Sequence, residues 1–366
     1  GAAATNNSGG TNAILSGGVR QFHAPFFGGF DGIDITYANP YSVVSGHGLA
    51  SGNSERSHYA YHSVKRALSI VDDKDLLDFD IIAMPGMLNA TLNRDLITLA
   101  EDRKDCLAII DIDSGYRKKY ENSGTELYGD SALGGSEKVT RNARTEDYDT
   151  SYGATYYPPV KIRDDSTGVA TIVPASVGAI GAIARSEAVS QGPWFAPAGF
   201  NRGGLSILGG PQGPRVVGTV EHLTKQNRDD LYDENINPIA RFPAVGEIVI
   251  FGQKTLQKTR SALDRVNVRR LMIFLKKKIG RIADTILFDQ NIRTTWLRFK
   301  GQAEAVLSDV QARFGITEYR LVLDDTTTTA DLIDRNIMYA KIFIKPARAI
   351  EFIAIDFVIT KTGVEF

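Results

Sequence analysis

Residues 79–112 read FDIIAMPGMLNATLNRDLITLAEDRKDCLAIIDI. The stretch opens on a short apolar run broken by Pro85-Gly86 and closes on another, Cys106 to Ile112. Runs this short and this apolar read as strands buried on both faces. Between them Leu92, Leu96 and Leu99 recur at helical spacing, with Asn89 or Thr91 available as N-cap. Strand, helix and strand in succession form a βαβ unit, whose crossover is right-handed and whose strands are parallel.

Outward from this unit, residues 56–71 (RSHYAYHSVKRALSIV) have a helical pattern. Residues 1–52 combine glycines with bursts of aromatics (Phe22, Phe26, Phe27, Phe30, Tyr37, Tyr41), which fits short strands joined by turns. Their opening GAAATNNSGGTN has neither the charged start nor the apolar middle of a signal peptide, and it reads as a loop with sequence missing upstream. Downstream, the polar, Tyr-rich residues 116–168 predict a long surface excursion. Residues 174–190 predict a small-residue helix able to pack closely on a sheet, and the Gly/Pro-rich tract from Gln191 to Gly213 predicts a domain boundary. Residues 246–252 predict a strand. Residues 261–290 carry the strongest helical stripe: Leu263, Asn267, Leu271, Leu275, Ile279, Ile282 and Ile286. A further helix is predicted over 301–315, closed by Gly315 at C′. Strands follow at YRLVLDD, at YAKIFIKP and at Glu351–Thr360.

The expected fold is a multidomain mixture of α/β and α+β. Residues 1–52 are the end of a β-rich domain, 53–217 a middle α/β domain holding the βαβ unit, and 218–366 an α+β domain ending in an exchangeable strand. The chain has 366 residues, enough for more than one core, and 42 basic against 43 acidic residues exclude a general polyanion binder. Cys106 is the single cysteine, which excludes an internal disulfide and a cysteine-based metal site. No apolar run reaches the roughly 18 residues that a membrane helix needs.

The chemistry-bearing patterns are few. No phosphate loop of the form G-x-x-x-x-G-K-[ST] occurs. AIIDIDSGY (108–116) resembles the opening of haloacid-dehalogenase phosphatases, with Asp111 as nucleophile and Asp113 as acid. Ser114-Gly115 stands where that pattern has Gly-Thr, no later acid pair offers to hold magnesium, and solvated carboxylates at a strand end are the favoured reading. His58 and His62 are four apart, but Tyr59 stands where a zinc-protease Glu would, so no metal, cofactor or catalytic residue is expected. From Lys258 to Ala283 there are nine basic residues and one acid, Asp264. That segment is either a solvated helix face, a dock for an acidic partner or, less well supported for want of aromatic interleaving, a nucleic-acid contact at 258–281.

Six motifs then occur in order: GPWFAPAG (192–199), ENINPI (234–239), GEIVIFGQKTLQ (246–257), VNVRRLMIFLKKKI (266–279), ILFDQNIRTTWLRFKGQAEAVL (286–307) and IKPARAIEFIAIDF (344–357). Together they resemble the tail sheath family of contractile-tailed bacteriophages, of the T-even type. LFDQN replaces the family's Phe-Glu-Pro-Asn, and ARAIEF its Pro-Ala-Glu-Phe. The resemblance implies a structural subunit, not an enzyme, that stacks as hexameric rings into a helical sheath around a tail tube. It implies contraction in one concerted step, without nucleotide, to drive the tube through the host envelope. It also implies baseplate and tail terminator partners, no membrane and no direct nucleic-acid contact, assembly in the host cytoplasm and a place in the virion. In such sheaths a C-terminal segment of one copy and N-terminal arms of others complete a small sheet.

The terminal strand fits that role. Ile353, Ile355, Phe357 and Ile359 alternate with Phe352, Ala354 and Val358, so both faces are apolar and both need cover. Phe352, Ile353, Ile355, Phe357 and Ile359 are therefore the candidate inter-subunit strand. Arg265, Arg269, Arg270, Lys276, Lys277 and Lys278 are the candidate contacts to an acidic tube or to the next subunit.

Overall fold

The computed structural model describes residues 39–43, 48–50, 58–116, 135–163, 168–205, 216–243 and 246–351. The candidate strand residues Phe352, Ile353, Ile355, Phe357 and Ile359 lie outside them, as does most of 1–52. In chain order the elements are α1 (Tyr59–Val71), β1 (Ile81–Ala83), α2 (Ala90–Arg103), β2 (Leu107–Ile110), α3 (Gly135–Glu146), β3 (Gly153–Tyr157), β4 (Val160–Arg163), β5 (Ala170–Val173), α4 (Ala175–Ser190) and α5 (Gly199–Arg202). There follow β6 (Val216–Thr219), α6 (Lys225–Asp233), β7 (Ile236–Phe242), β8 (Glu247–Ile250), α7 (Val266–Asp284), α8 (Arg293–Ala312), β9 (Ile316–Val322), α9 (Ala330–Asp334) and β10 (Lys341–Pro346).

The main sheet has the order β1-β2-β3-β7-β8. Its first four strands are parallel, with Ile81 opposite Leu107, Ala108 opposite Gly153 and Thr155 opposite Ile236, and β8 returns antiparallel to β7. The βαβ unit is as the sequence reads it, and of the two possible caps it is Asn89 whose side chain accepts from the Leu92 amide at 2.9 Å. Successive residues of β2 serve opposite faces. Leu107 and Ile109 join a core with the alanines of α4, and Ala108 and Ile110 join a second with Leu96, Ile97 and Leu99 of α2. The small residues of α4 bring it close to the strands: a Cβ on Gly178 would stand 3.4 Å from the Val160 side chain. β5, β4 and β6 form a separate antiparallel sheet, and β9 with β10 a third.

Several expectations need correction. The predicted surface excursion at 116–168 contains α3 and β3, and every residue of β3 is buried at the middle of the main sheet. Gly-Ala-Thr-Tyr-Tyr lacks a strand's usual aliphatic signature, and its burial comes from the strands and helices on either side. The expected boundary in 191–213 also reads differently. Trp194 is buried in a third core and donates through Nε1 to the Arg313 carbonyl at 3.0 Å, while Gly203 and Leu205 exchange backbone bonds with Ile250 and Ile248 of β8. The expected division at 217/218 falls inside β6, and β7 and β8 beyond it complete the sheet begun by β1, β2 and β3.

The third core joins α7, α8 and the β9–β10 sheet around Leu271, Leu275, Trp296, Phe299 and Leu307. α7 starts later than predicted because Arg265 is extended (φ -120°, ψ 135°) after a short 3-10 turn at Ala262–Asp264. α8 starts earlier, at Arg293, since Trp296 and Phe299 extend its buried face toward the N-terminus. Phe314, not Gly315, takes the left-handed C′ position (φ 62°). The Phe314 amide reaches Gln311 O at 3.0 Å and the Gly315 amide reaches Val310 O at 2.9 Å, a Schellman pattern. Gly315 is needed for space: an added Cβ would lie 2.6 Å from Val310 and 2.9 Å from the Trp194 ring. Gly315→Ala is expected to destabilise the chain by about 1–3 kcal/mol through overpacking, read as a lower urea midpoint at unchanged m-value.

Candidate functional site

The β9–β10 hairpin is amphipathic by alternation. Ile342 opposite Leu321 and Ile344 opposite Tyr319 face the third core. Phe343 opposite Arg320 and Lys345 opposite Glu318 face outward, with Phe343 57% exposed. Among the described residues no third strand pairs with either edge. A two-stranded ribbon is marginal alone and holds here because one face rests on α7 and α8.

After β10 the chain is held at two points. The Ala347 amide donates to the Gly315 carbonyl at 3.1 Å. Four residues on, the Glu351 carboxylate accepts from Arg265 Nε (2.6 Å) and Nη2 (2.9 Å), from Tyr232 Oη (2.9 Å) and from Gln253 Nε2 (3.2 Å). Asp264 also pairs with Arg265 at 3.1 Å. Burial lowers the Arg265 pKa, but the Glu351 bonds together with the neighbouring charges of Glu351 and Asp264 and the Tyr232 phenol carry the net shift upward. Burial, then the Glu351 charge, pushes the Tyr232 phenol up, so it stays a donor. Sequence reasoning missed Glu351. Its signal is a lone acid where an exposed stretch meets an apolar one.

The six candidate basic residues divide by environment. Arg265 is engaged with Glu351 and Asp264. Arg269 is buried, donates to the Ser151 carbonyl at 3.2 Å and to the Ser151 hydroxyl, and stacks 3.9 Å from the Tyr152 ring centroid. Burial lowers its pKa. Arg270 is buried against Glu187. Lys277 donates to Asp78 (2.7 Å), Asp80 (2.6 Å) and the Phe79 carbonyl (2.8 Å). Burial acts to lower Lys277, yet these acids hold its pKa above the ordinary lysine value. Lys276 and Lys278 face solvent. Burial and the charges of Lys74 and Lys104 lower Lys276, and Lys278 lies 5.6 Å from the Phe274 ring centroid. Four of the six are thus engaged within the chain, whereas Lys276 and Lys278 are exposed, as are Lys258, Arg260 and Arg281 of the same basic segment.

The phosphatase-like pair is also structural. Asp111 is buried and accepts from the Gly86 amide (2.9 Å), the Ser176 amide (3.1 Å) and the Ser176 hydroxyl (2.6 Å). It is not solvated, in contrast to the expectation from sequence. It caps α4, whose own Pro174 N-cap makes no side-chain bond, and fixes it to the end of β2. Burial raises its pKa, against those three bonds. Asp113 pairs with Lys138 at 3.5 Å. His58 caps α1 by accepting from the Ala60 amide. Among the described residues no group of three His, Cys, Asp or Glu side chains could hold a metal ion, and no helix is long and apolar enough to cross a membrane.

Comparison with known proteins gives the following likenesses. Residues 258–360 match the family model described as the phage tail sheath C-terminal domain. The tail sheath protein of Vibrio phage KVP40 is 40% identical over 194 residues, 53% of this chain and 27% of that protein. The tail sheath protein of Enterobacteria phage T4 is 40% identical over 194 residues, 53% of this chain and 28% of that protein. That of Salmonella phage ViI is 28% identical over 272 residues, 74% of this chain and 40% of that protein. The chain thus spans between about a quarter and two fifths of the length of these relatives. The PVC sheath complex of an extracellular contractile injection system, in its contracted state, superposes with a TM-score of 0.61 at 21% identity, covering 81% of this chain and 74% of that one. The contracted helical sheath of the anti-feeding prophage gives 0.59 at 20%, covering 80% and 73%. The chain is thus similar to phage tail sheath proteins, and its residues 258–360 carry the match to their C-terminal domain.

One buried acid makes this region pH-sensitive. Burial pushes the Glu146 carboxyl up to about 7; a Tyr148 bond opposes the shift, Asp113 adds to it and Arg94 opposes it. A carboxyl with a raised folded pKa contributes stability at low pH and loses it as pH rises through that value. Wild type is therefore expected to gain stability over Glu146→Gln between pH 8 and pH 5, by on the order of 1 kcal/mol after solvent screening. Paired thermal melts across that range read the difference.

Proposed function

We propose that this chain is part of the structural subunit of a contractile tail sheath, which polymerises as hexameric rings stacked helically around a tail tube and contracts to drive the tube through the host envelope. The observation that carries the reading is the open β9–β10 ribbon inside the sheath C-terminal domain, followed after Glu351 by the apolar 352–360 segment. Main-chain bonds from a strand of another copy would satisfy the ribbon's edges. Such bonds persist while the bodies they link rotate, which is what a lattice that shortens and widens without coming apart requires.

The candidate strand Phe352, Ile353, Ile355, Phe357 and Ile359 belongs to this proposal. Lys276 and Lys278 remain the proposed contacts to an acidic tube or neighbouring surface, because the other four basic residues are engaged within the chain. Baseplate and terminator proteins are proposed partners at the two ends of the stack, and the tail of the virion is the proposed location. Chemistry is not needed: the work comes from the free energy difference between two packings of one lattice.

Deleting residues 352–366 is expected to abolish polymerisation of the full chain in sedimentation while leaving its melting temperature within about 2 °C, as a segment that serves another copy would. A wild-type chain that stays monomeric at high concentration, or a truncated chain that polymerises equally well, contradicts the reading.

A further inference from the structure

We propose that Glu351 is the anchor through which the pull of an exchanged C-terminal strand enters the body of the subunit. The proposal rests on the sheath reading and adds to it the residue and the route. The reach between the two holdfasts, Arg348 to Ile350, is exposed, with Ile350 83% exposed, and runs beside a cleft of about 1000 Å³. Packing does not secure it. What secures it, among the described residues, is the Ala347–Gly315 backbone bond and the Glu351 carboxylate. A tension applied beyond residue 351 meets the carboxylate first.

The partners of that carboxylate come from three separate parts of the chain. Tyr232 lies in the last turn of α6, Gln253 lies just past β8, and Arg265 is the residue from which α7 starts. The Val266 amide bonds to the Gln253 carbonyl at 2.8 Å and Lys254 bridges to Arg265, so two of the three are themselves laced together. Lys254 stands 4.1 Å from the Tyr232 ring centroid and donates to the Tyr232 carbonyl at 2.5 Å, which ties in the third. Two cations, Lys254 and Arg265, balance two carboxylates, Asp264 and Glu351, in a half-buried network. A bidentate guanidinium fork resists rotation as well as separation. A force on Glu351 is therefore delivered to the start of α7 and to the end of the main sheet together, not to the marginal β9–β10 ribbon alone. A positioning residue of this kind matters to the lattice more than to the fold of one copy.

The test is a graded series in the full chain: Tyr232→Phe removes one bond, Glu351→Gln removes the charge and weakens the fork, and Glu351→Ala removes all four bonds. The concentration needed for polymerisation is expected to rise in that order, reaching at least tenfold for Glu351→Ala, while monomer melting temperatures stay within about 2 °C of wild type. Losses of melting temperature that track the losses of assembly would make the cluster merely structural and overturn the proposal. So would a Glu351→Ala chain that polymerises like wild type, an outcome that leaves the sheath reading intact. A wild-type chain that does not polymerise overturns both. Should Glu351→Ala fail to fold, Tyr232→Phe and Glu351→Gln still decide the matter by their order.

Discussion

One helix holds the described structure together, because it belongs to two cores at once. Val266 and Ile273 of α7 pack into the core beneath the main sheet, while Leu271 and Leu275 pack into the core shared with α8, β9 and β10. A helix with apolar residues on two faces leaves little perimeter for solvent along its first turns, so Arg269 and Arg270 are held inside. Arg269 meets this by stacking on Tyr152 and donating to Ser151, and Arg270 by pairing with Glu187. Unpaired buried charge would be far more costly than these local solutions. Asn267 adds a polar strap, donating to the Trp194 carbonyl at 3.2 Å.

On the proposed sheath reading the consequence is stiffness in the body of the subunit, because a lattice of rigid bodies linked by strands needs bodies that do not deform. The main sheet reaches the third core through α7 and through Trp194. The arrangement puts adaptable chain outside this braced frame, at the exposed stretch after β10, and rigid packing within it.

The legible and illegible parts of the sequence separate on physical grounds. The βαβ unit is readable because β2 is buried on both faces, β1 is half-buried at the sheet edge, both are apolar throughout, and α2 carries its leucines at helical spacing. β3 is not, because its Gly-Ala-Thr-Tyr-Tyr is buried by position and not by hydrophobicity. The tract around Trp194 reads as a domain boundary because glycine and proline mark turns, but Trp194 packs against Gly315 at the end of α8, and Gly203 and Leu205 bond to β8. The basic helix read as an interface because charge counts ignore partners distant in sequence: Asp78 and Asp80 lie about two hundred positions from Lys277, and Glu187 more than eighty from Arg270. Asp111 read as a solvated carboxylate because the donors that enclose it, Gly86 and Ser176, come from other elements. Family resemblance, carried by six ordered motifs, was the part of the sequence that spoke most directly to function.

The central claim is that α7 makes the two sides of the described structure one cooperative body. Both tryptophans, Trp194 and Trp296, lie in the third core, whereas far-ultraviolet circular dichroism reports every helix and strand. Equilibrium urea unfolding followed by both signals is the direct test. Coincident transitions with one midpoint are the expected result. A tryptophan transition completed at lower urea, with the main sheet still folded, would contradict the account.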